Sequence, residues 1–204
     1  MSESDLILNR LNELIASGKL YLKKYNASEN VIKAQKYFSE AYETCVNSFG
    51  KDHTKNIEIL SLLSISHNFH IGLKSSSIEV TGLLEEMKRI QLLDDNTIDA
   101  DLIESNQRLA TSYAQAKKYD RALENYFQAL EIQSKAQEKN DVNMAHILER
   151  IGDVYRNLDN IEKAKAFYLK VLDVISRLDG DNSQITSKLK KKILRVTQWH
   201  SGYS

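Results

Sequence analysis

Two histidines, His67 and His70, stand three residues apart. On a helix that spacing puts two imidazoles on one face, as a metal site built on a helix requires. No third ligand accompanies them nearby, and the lone Cys45 cannot supply a cysteine set. The pair therefore reads as packing, and no metal or other cofactor is expected. The scattered carboxylates form no catalytic pair, and no glycine-rich phosphate loop, nucleophile elbow or HExxH motif occurs. Nothing in the chain argues for an enzyme. The remaining chemistry-bearing feature is the cationic run Lys188, Lys190, Lys191, Lys192 and Arg195, which could touch RNA, an acidic partner or an anionic membrane. The same run suits a helix whose apolar side covers the end of a helical array and whose outer side stays polar. That capping role is the expectation, since the chain has no matching basic stripe elsewhere, and an RNA-associated role through this helix is the alternative.

Composition sets the frame for these residues. The chain has 204 residues, 28 basic against 28 acidic, so no general electrostatic pull on nucleic acid or membrane is expected. It has no proline and seven glycines, which removes the usual punctuation of β-rich folds and leaves long helices uninterrupted. The class is therefore all-α. A single cysteine allows no intramolecular disulfide. The first residues, MSESDLILNRLNELIASG, carry acids where a secretory leader needs bases, and no apolar run approaches the roughly 18 to 20 residues of a membrane span. The expectation is a protein of the cytoplasm or nucleus.

Apolar residues at three- and four-residue steps predict helix after helix. Four pairs are expected, at about 5–50, 53–93, 97–137 and 141–179, followed by a last helix over 183–199, all within one domain spanning 1–204. Ser2 to Asp5 offer caps for the first helix, and Gly50 suits a left-handed helix end. In the third pair Tyr119-Asp120 reads as the turn, with Asp120 as N-cap, and the fourth turns at Asp159-Asn160. Gly82 interrupts a helix, for which close helix approach is a compensation.

The strongest pattern runs across pairs. Leu109-Ala110, Tyr113, Ala122, Tyr126 and Ala129 recur as Ile151-Gly152, Tyr155, Ala164, Tyr168 and Val171, each displaced by 42 residues. The intervals nine, four and three occur again in Tyr25, Ala34, Phe38 and Ala41. Small residues let helix axes approach, and each aromatic fills the space this creates. A helical bundle produces short-period patterns of this kind, but not repetition at a fixed long period, so a stacked array is expected. The second pair is more blurred, with an extra turn placed around residues 71–77.

These residues resemble the tetratricopeptide repeat family, whose signature Leu109-Ala110-x-x-Tyr113 and Ala122-x-x-x-Tyr126-x-x-Ala129 match. Asn106 and Leu148 stand at the frequent tryptophan position, and the terminal proline is missing. The commonest period of the family is 34, and the lengthened 42-residue form is similar to the repeats of kinesin light chains. Phe49-Gly50-Lys51-Asp52-His53 and Leu178-Asp179-Gly180-Asp181-Asn182 look like the turns between such repeats. The resemblance implies a right-handed α-α superhelical solenoid of about four pairs with a capping helix. It also implies a non-catalytic scaffold or adaptor that holds a peptide or docks in a larger complex through a concave groove.

Carried to matching positions, the resemblance places Lys19 and Lys23 in that groove from the first pair, and Gln107, Arg108 and Thr111 from the third. From the fourth come His146, Glu149, Arg150, Asp153 and Arg156. Their mixed signs favour a polypeptide partner over a phosphate backbone. The set of lysine, asparagine and arginine with which some members clamp chaperone C-termini is missing: Lys23, Thr111, Arg108 and Arg150 stand at the groove positions concerned.

Overall fold

The computed structural model describes residues 2–23, 28–68, 76–136, 141–179 and 184–201. Among these the secondary structure is entirely helical: α1 (Glu3–Lys23), α2 (Ser28–Phe49), α3 (Lys55–Asn68), α4 (Ser76–Leu93), α5 (Asp99–Gln115), α6 (Tyr119–Lys135), α7 (Asp141–Asn157), α8 (Ile161–Asp179) and α9 (Gln184–Ser201). The expected all-α class and the expected pairing of helices are both present. The chain divides into two compact units, Met1–Asp101 and Leu102–Ser204.

In the first unit α1 starts at a reciprocal cap. The Asp5 amide donates to Ser2 Oγ at 3.2 Å and the Ser2 amide to Asp5 Oδ2 at 2.8 Å, which satisfies two amides that a helix start leaves over. Leu11, Leu14 and Ile15 then pack with Ala34, Phe38, Ala41 and Cys45 of α2 and Ile59 and Leu63 of α3. Gly50 ends α2 with φ +89°, as its sequence position predicts. The turn into α3 is tied by the buried Asn56, whose side-chain amide donates to the carbonyls of Gly50 and Lys51 at 3.1 and 3.0 Å. On α4, Val80, Leu84, Met87 and Ile90 form the buried stripe. Gly82 is not a close-approach site: it is exposed, and a β-carbon added there meets nothing within 4 Å.

The close approach lies instead at Gly18. A β-carbon there would stand 2.3 Å from the Phe38 ring, just as one at Gly152 would stand 2.7 Å from the Tyr168 ring. Tyr21 stacks on Tyr37 at 5.7 Å with Lys33 above it, and Tyr155 stacks on Phe167 at 5.5 Å with Lys163 above it. Tyr21 is thus the counterpart of Tyr155, and the equivalence drawn from Tyr25 is one helical turn out of register. A run of matching intervals hid this, because a shift of four residues keeps a side chain on the same helical face. Tyr25 itself lies outside the described residues.

In the second unit the repeat is carried down to the turns. Lys117 and Asp159, 42 positions apart, both adopt left-handed backbone with φ of 58° and 57°. In each, the next amide (Lys118, Asn160) reaches back to the carbonyl of Tyr113 or Tyr155 at 2.8 and 2.9 Å, and the Lys117 and Asp159 amides bond Ala114 and Arg156, both at 3.0 Å. This is the paired bond pattern of a Schellman helix end. The turn of the third pair therefore lies at Lys117-Lys118, not at Tyr119-Asp120, and α6 begins at Tyr119 behind Lys118, which makes no side-chain cap bond. The fourth pair does carry one: Asn160 Oδ1 accepts from the Lys163 amide at 3.1 Å. Lysine at a left-handed position gives no sequence signal, whereas Asp120 resembles a cap without acting as one.

The end of the array is covered as expected. Leu189 of α9 is buried against Ala145, Leu148, Val171 and Val174, with Ile193 alongside. The helix runs from Gln184 to Ser201, slightly beyond its expected end. Gly180, expected to terminate α8, lies outside the described residues, as do His70 and the residues expected to hold the extra turn of the second pair up to 75. His67 Nδ1 lies 2.8 Å from the Leu63 carbonyl oxygen on its own helix.

Candidate functional site

Side-chain bonds join α5, α7 and α9 of the second unit into one row. Gln107 Nε2 on α5 donates to Asn143 Oδ1 on α7 at 2.8 Å, and Asn143 in turn donates to Gln133 Oε1 on α6 at 2.8 Å. Lys192 on α9 donates to Glu149 Oε1 at 2.6 Å and pairs with Asp153 Oδ1 at 2.8 Å, both on α7. Gln107 and Glu149 are repeat counterparts, so the same position bonds the next first helix in each case. Both were expected in the groove. Their side chains are half-buried and engaged between helices.

The next counterparts, Thr111 and Asp153, hold the tips of the buried tyrosines. Thr111 Oγ1 shares a hydrogen bond with the Tyr126 hydroxyl at 2.9 Å, and the Tyr168 hydroxyl donates to Asp153 Oδ1 at 2.7 Å. Burial first, then the carboxylate of Asp153, pushes the Tyr168 hydroxyl well above its ordinary pKa. Burial likewise raises that of Tyr126, against the Thr111 bond. The Lys192 ammonium lies 4.7 Å from the centre of the Tyr168 ring. A buried phenol that needs a partner at its tip thus determines what these two positions do.

A different group remains open to solvent. His146, Arg150 and Arg156 are exposed on α7. Arg150 Nε lies 3.4 Å from His146 Nε2, and Arg156 stands 3.7 Å from Asp153. Desolvation and then the Arg150 charge hold His146 below the ordinary histidine pKa, opposed by Glu149 and Asp153. Arg108, the counterpart of Arg150, is half-buried near Glu104 at 3.7 Å, and desolvation lowers its pKa. In the first unit Lys19 donates to Glu58 of α3 at 2.7 Å, while Lys23 is exposed at the end of α1.

On α9, Lys188, Lys190, Lys191 and Arg195 are exposed and Lys192 is half-buried. The run lies on the capping helix, as its sequence predicts, and four of its members also face a cleft completed by Arg156, Asn157, Asp159 and Ile161. The signal available was the spacing 188, 191, 192, 195, one face of a helix.

Residues 101–177 match the tetratricopeptide repeat family. These residues are tetratricopeptide repeats of the long, 42-residue form. No curated protein matches the sequence. Among solved structures, the nearly identical tetratricopeptide-like repeats assigned to a kinesin light chain of Podosopora anserina are similar over 95% of this chain and 89% of that one, at 15% identity and a TM-score of 0.74. The apo form of RapI is similar over 95% of this chain and 65% of that one, at 15% identity and a TM-score of 0.73. BtubC (BKLC) from P. vanneervenii matches over 86% of this chain and 67% of that one, at 19% identity and a TM-score of 0.64. At these identities the likeness is one of fold. The tetratricopeptide repeat fold is in general a scaffold for protein–protein interaction, and no helix among the described residues is long and apolar enough to cross a membrane.

Proposed function

We propose that this tetratricopeptide repeat protein is a non-catalytic scaffold or adaptor that binds a peptide or docks in a larger assembly through the exposed side of α7, the first helix of its fourth pair. The observation that supports this is the division of labour along α7. Glu149 and Asp153 are engaged by Lys192 and Tyr168, whereas His146, Arg150 and Arg156 are exposed beside them. An exposed pair of guanidinium groups on a rigid helix is well suited to carboxylates of a polypeptide. Gln107 bonds Asn143 of α7 and Thr111 bonds Tyr126 of α6, which hold these helices in place. Arg108 lies half-buried beside Glu104 of its own helix, and Lys19 and Lys23 are the candidate contacts of the first unit taken by itself.

The test is a charge reversal at exposed positions. Arg150→Glu with Arg156→Glu should leave the helical dichroism and the melting temperature close to wild type and abolish capture of partners from a native extract. Undiminished capture by the double variant would remove α7 as the binding surface.

A further inference from the structure

The cleft between the turn of the fourth pair and α9 has a volume of about 780 Å³ and is lined by Arg156, Lys188, Lys191, Lys192 and Arg195, with Asp159 as the acid among its lining residues. Lys188, Lys191, Lys192 and Arg195 follow at steps of three, one and three, so they share one face of α9 over about 10 Å of its length. Lys192 is neutralised by Glu149 and Asp153. Among the described residues Lys188, Lys191 and Arg195 form no ion pair, and Arg156 is held only at 3.7 Å by Asp153. Leu189 and Thr186 anchor the opposite side of the helix in the core, so these cations are presented from a fixed backbone.

We propose that this cleft is a binding site for a small ligand carrying several adjacent phosphate groups. Lysine and arginine are donors without acceptors. A ligand that complements them offers acceptors and negative charge, and little else. A phosphate group does so with three oxygens and a charge near −2. An acidic peptide would bring backbone amides as well, for which the lining residues provide few neutral partners: the side chain of Asn157 and backbone alone. Single-stranded RNA would need aromatic faces for its bases, and none is found among the lining residues. The volume is in the range of small-ligand pockets, and Ile161 with the lysine stems gives the apolar wall on which a compact ring or chain rests.

Calorimetric titration of the full chain at physiological salt tests the site with two probes, inorganic tripolyphosphate and inositol hexakisphosphate. One-to-one binding of at least one is expected. Preference for the first identifies a linear phosphate chain as the natural class, and preference for the second identifies phosphomonoesters clustered on a ring. The triple variant Lys188→Gln, Lys191→Gln, Arg195→Gln should weaken binding by about tenfold or more. Lys36→Gln, Lys51→Gln, Lys117→Gln, which removes the same charge from exposed positions outside the cleft, should leave it within about twofold. Equal losses in the two triple variants, binding of neither probe, equal binding of an oligoglutamate peptide, or tighter binding of single-stranded RNA would each overturn the proposal.

Discussion

Three glycines among the described residues sit inside helices, and the structure assigns them opposite consequences. Replacing Gly152 with alanine puts a β-carbon 2.7 Å from Tyr168 Cε1 and 2.9 Å from its Cδ1. That ring has no easy retreat, since Asp153 holds its hydroxyl at 2.7 Å and the Lys192 ammonium lies over its face. At Gly18 the clash is closer, 2.3 Å to Phe38 Cε1, with Phe38 fully buried. Overpacking of this kind costs about 1–3 kcal/mol. Against it stands the gain of roughly 0.5–1 kcal/mol that any helix interior obtains when glycine becomes alanine. At Gly82 that gain is the whole effect, because the added carbon meets nothing within 4 Å. The propensity gain is common to all three, so the differences between variants isolate the steric cost. Gly82→Ala should be more stable than wild type by about 0.5–1 kcal/mol, and Gly18→Ala and Gly152→Ala should fall about 1–3 kcal/mol below Gly82→Ala. Urea unfolding followed by far-ultraviolet dichroism measures all three, and for a chain of this length each 1 kcal/mol moves the melting temperature by roughly 2–4 °C. Parallel shifts for the three substitutions would refute the close approach at Gly18 and Gly152, and with it the register in which Tyr21 matches Tyr155.

Two further outcomes follow from local geometry. Lys117 holds φ at 58°, a strain of about 1–2 kcal/mol for an ordinary side chain, so Lys117→Gly should stabilise the chain by about 0.5–1 kcal/mol after the entropy glycine adds to the unfolded state. Asp159→Gly should gain less, as aspartate tolerates this backbone better, and thermal unfolding that reversed the order would contradict the account of the turns. Desolvation and Arg150 keep the folded pKa of His146 below the ordinary value of 6.5. The unfolded chain therefore takes up this proton first as pH falls, and stability is lost from the ordinary histidine range down through the folded value. His146→Gln should flatten that part of the stability-against-pH curve, and an unchanged curve would show that His146 does not carry it.

What was legible in the sequence is what packing writes there. Ala122, Ala164, Tyr126 and Tyr168 are all buried, and their 42-residue displacement could be read because two helices that pack by the same contact need the same residue types at the same spacing. Their family follows from the same residues. The turn of the third pair was misplaced because its deciding feature is the left-handed backbone of a lysine, for which any residue type but glycine or asparagine is a poor marker. Gly18 was missed because a lone glycine in a helix does not announce which ring it faces. Among the candidate site residues, Arg150 and Asp153 looked equivalent, yet one is exposed and the other receives Tyr168 and Lys192. That difference depends on where α9 and the tyrosine tip lie, which is a tertiary fact. The cleft beside α9 was out of reach for the same reason: its cations are visible in the chain, but the wall formed by Arg156, Asn157, Asp159 and Ile161 exists only once the helix has docked.

The claim that the exposed positions of α7 form the protein-binding surface is tested most directly by a photoreactive residue placed at Arg150, with the same residue at Lys170 on α8 as reference, both exposed. Irradiation in the native extract should join the Arg150 position, and not the Lys170 position, to a distinct protein partner, and the product should disappear when Arg156→Glu is added. Cross-linking from Lys170 alone, or equally from both positions, would contradict it.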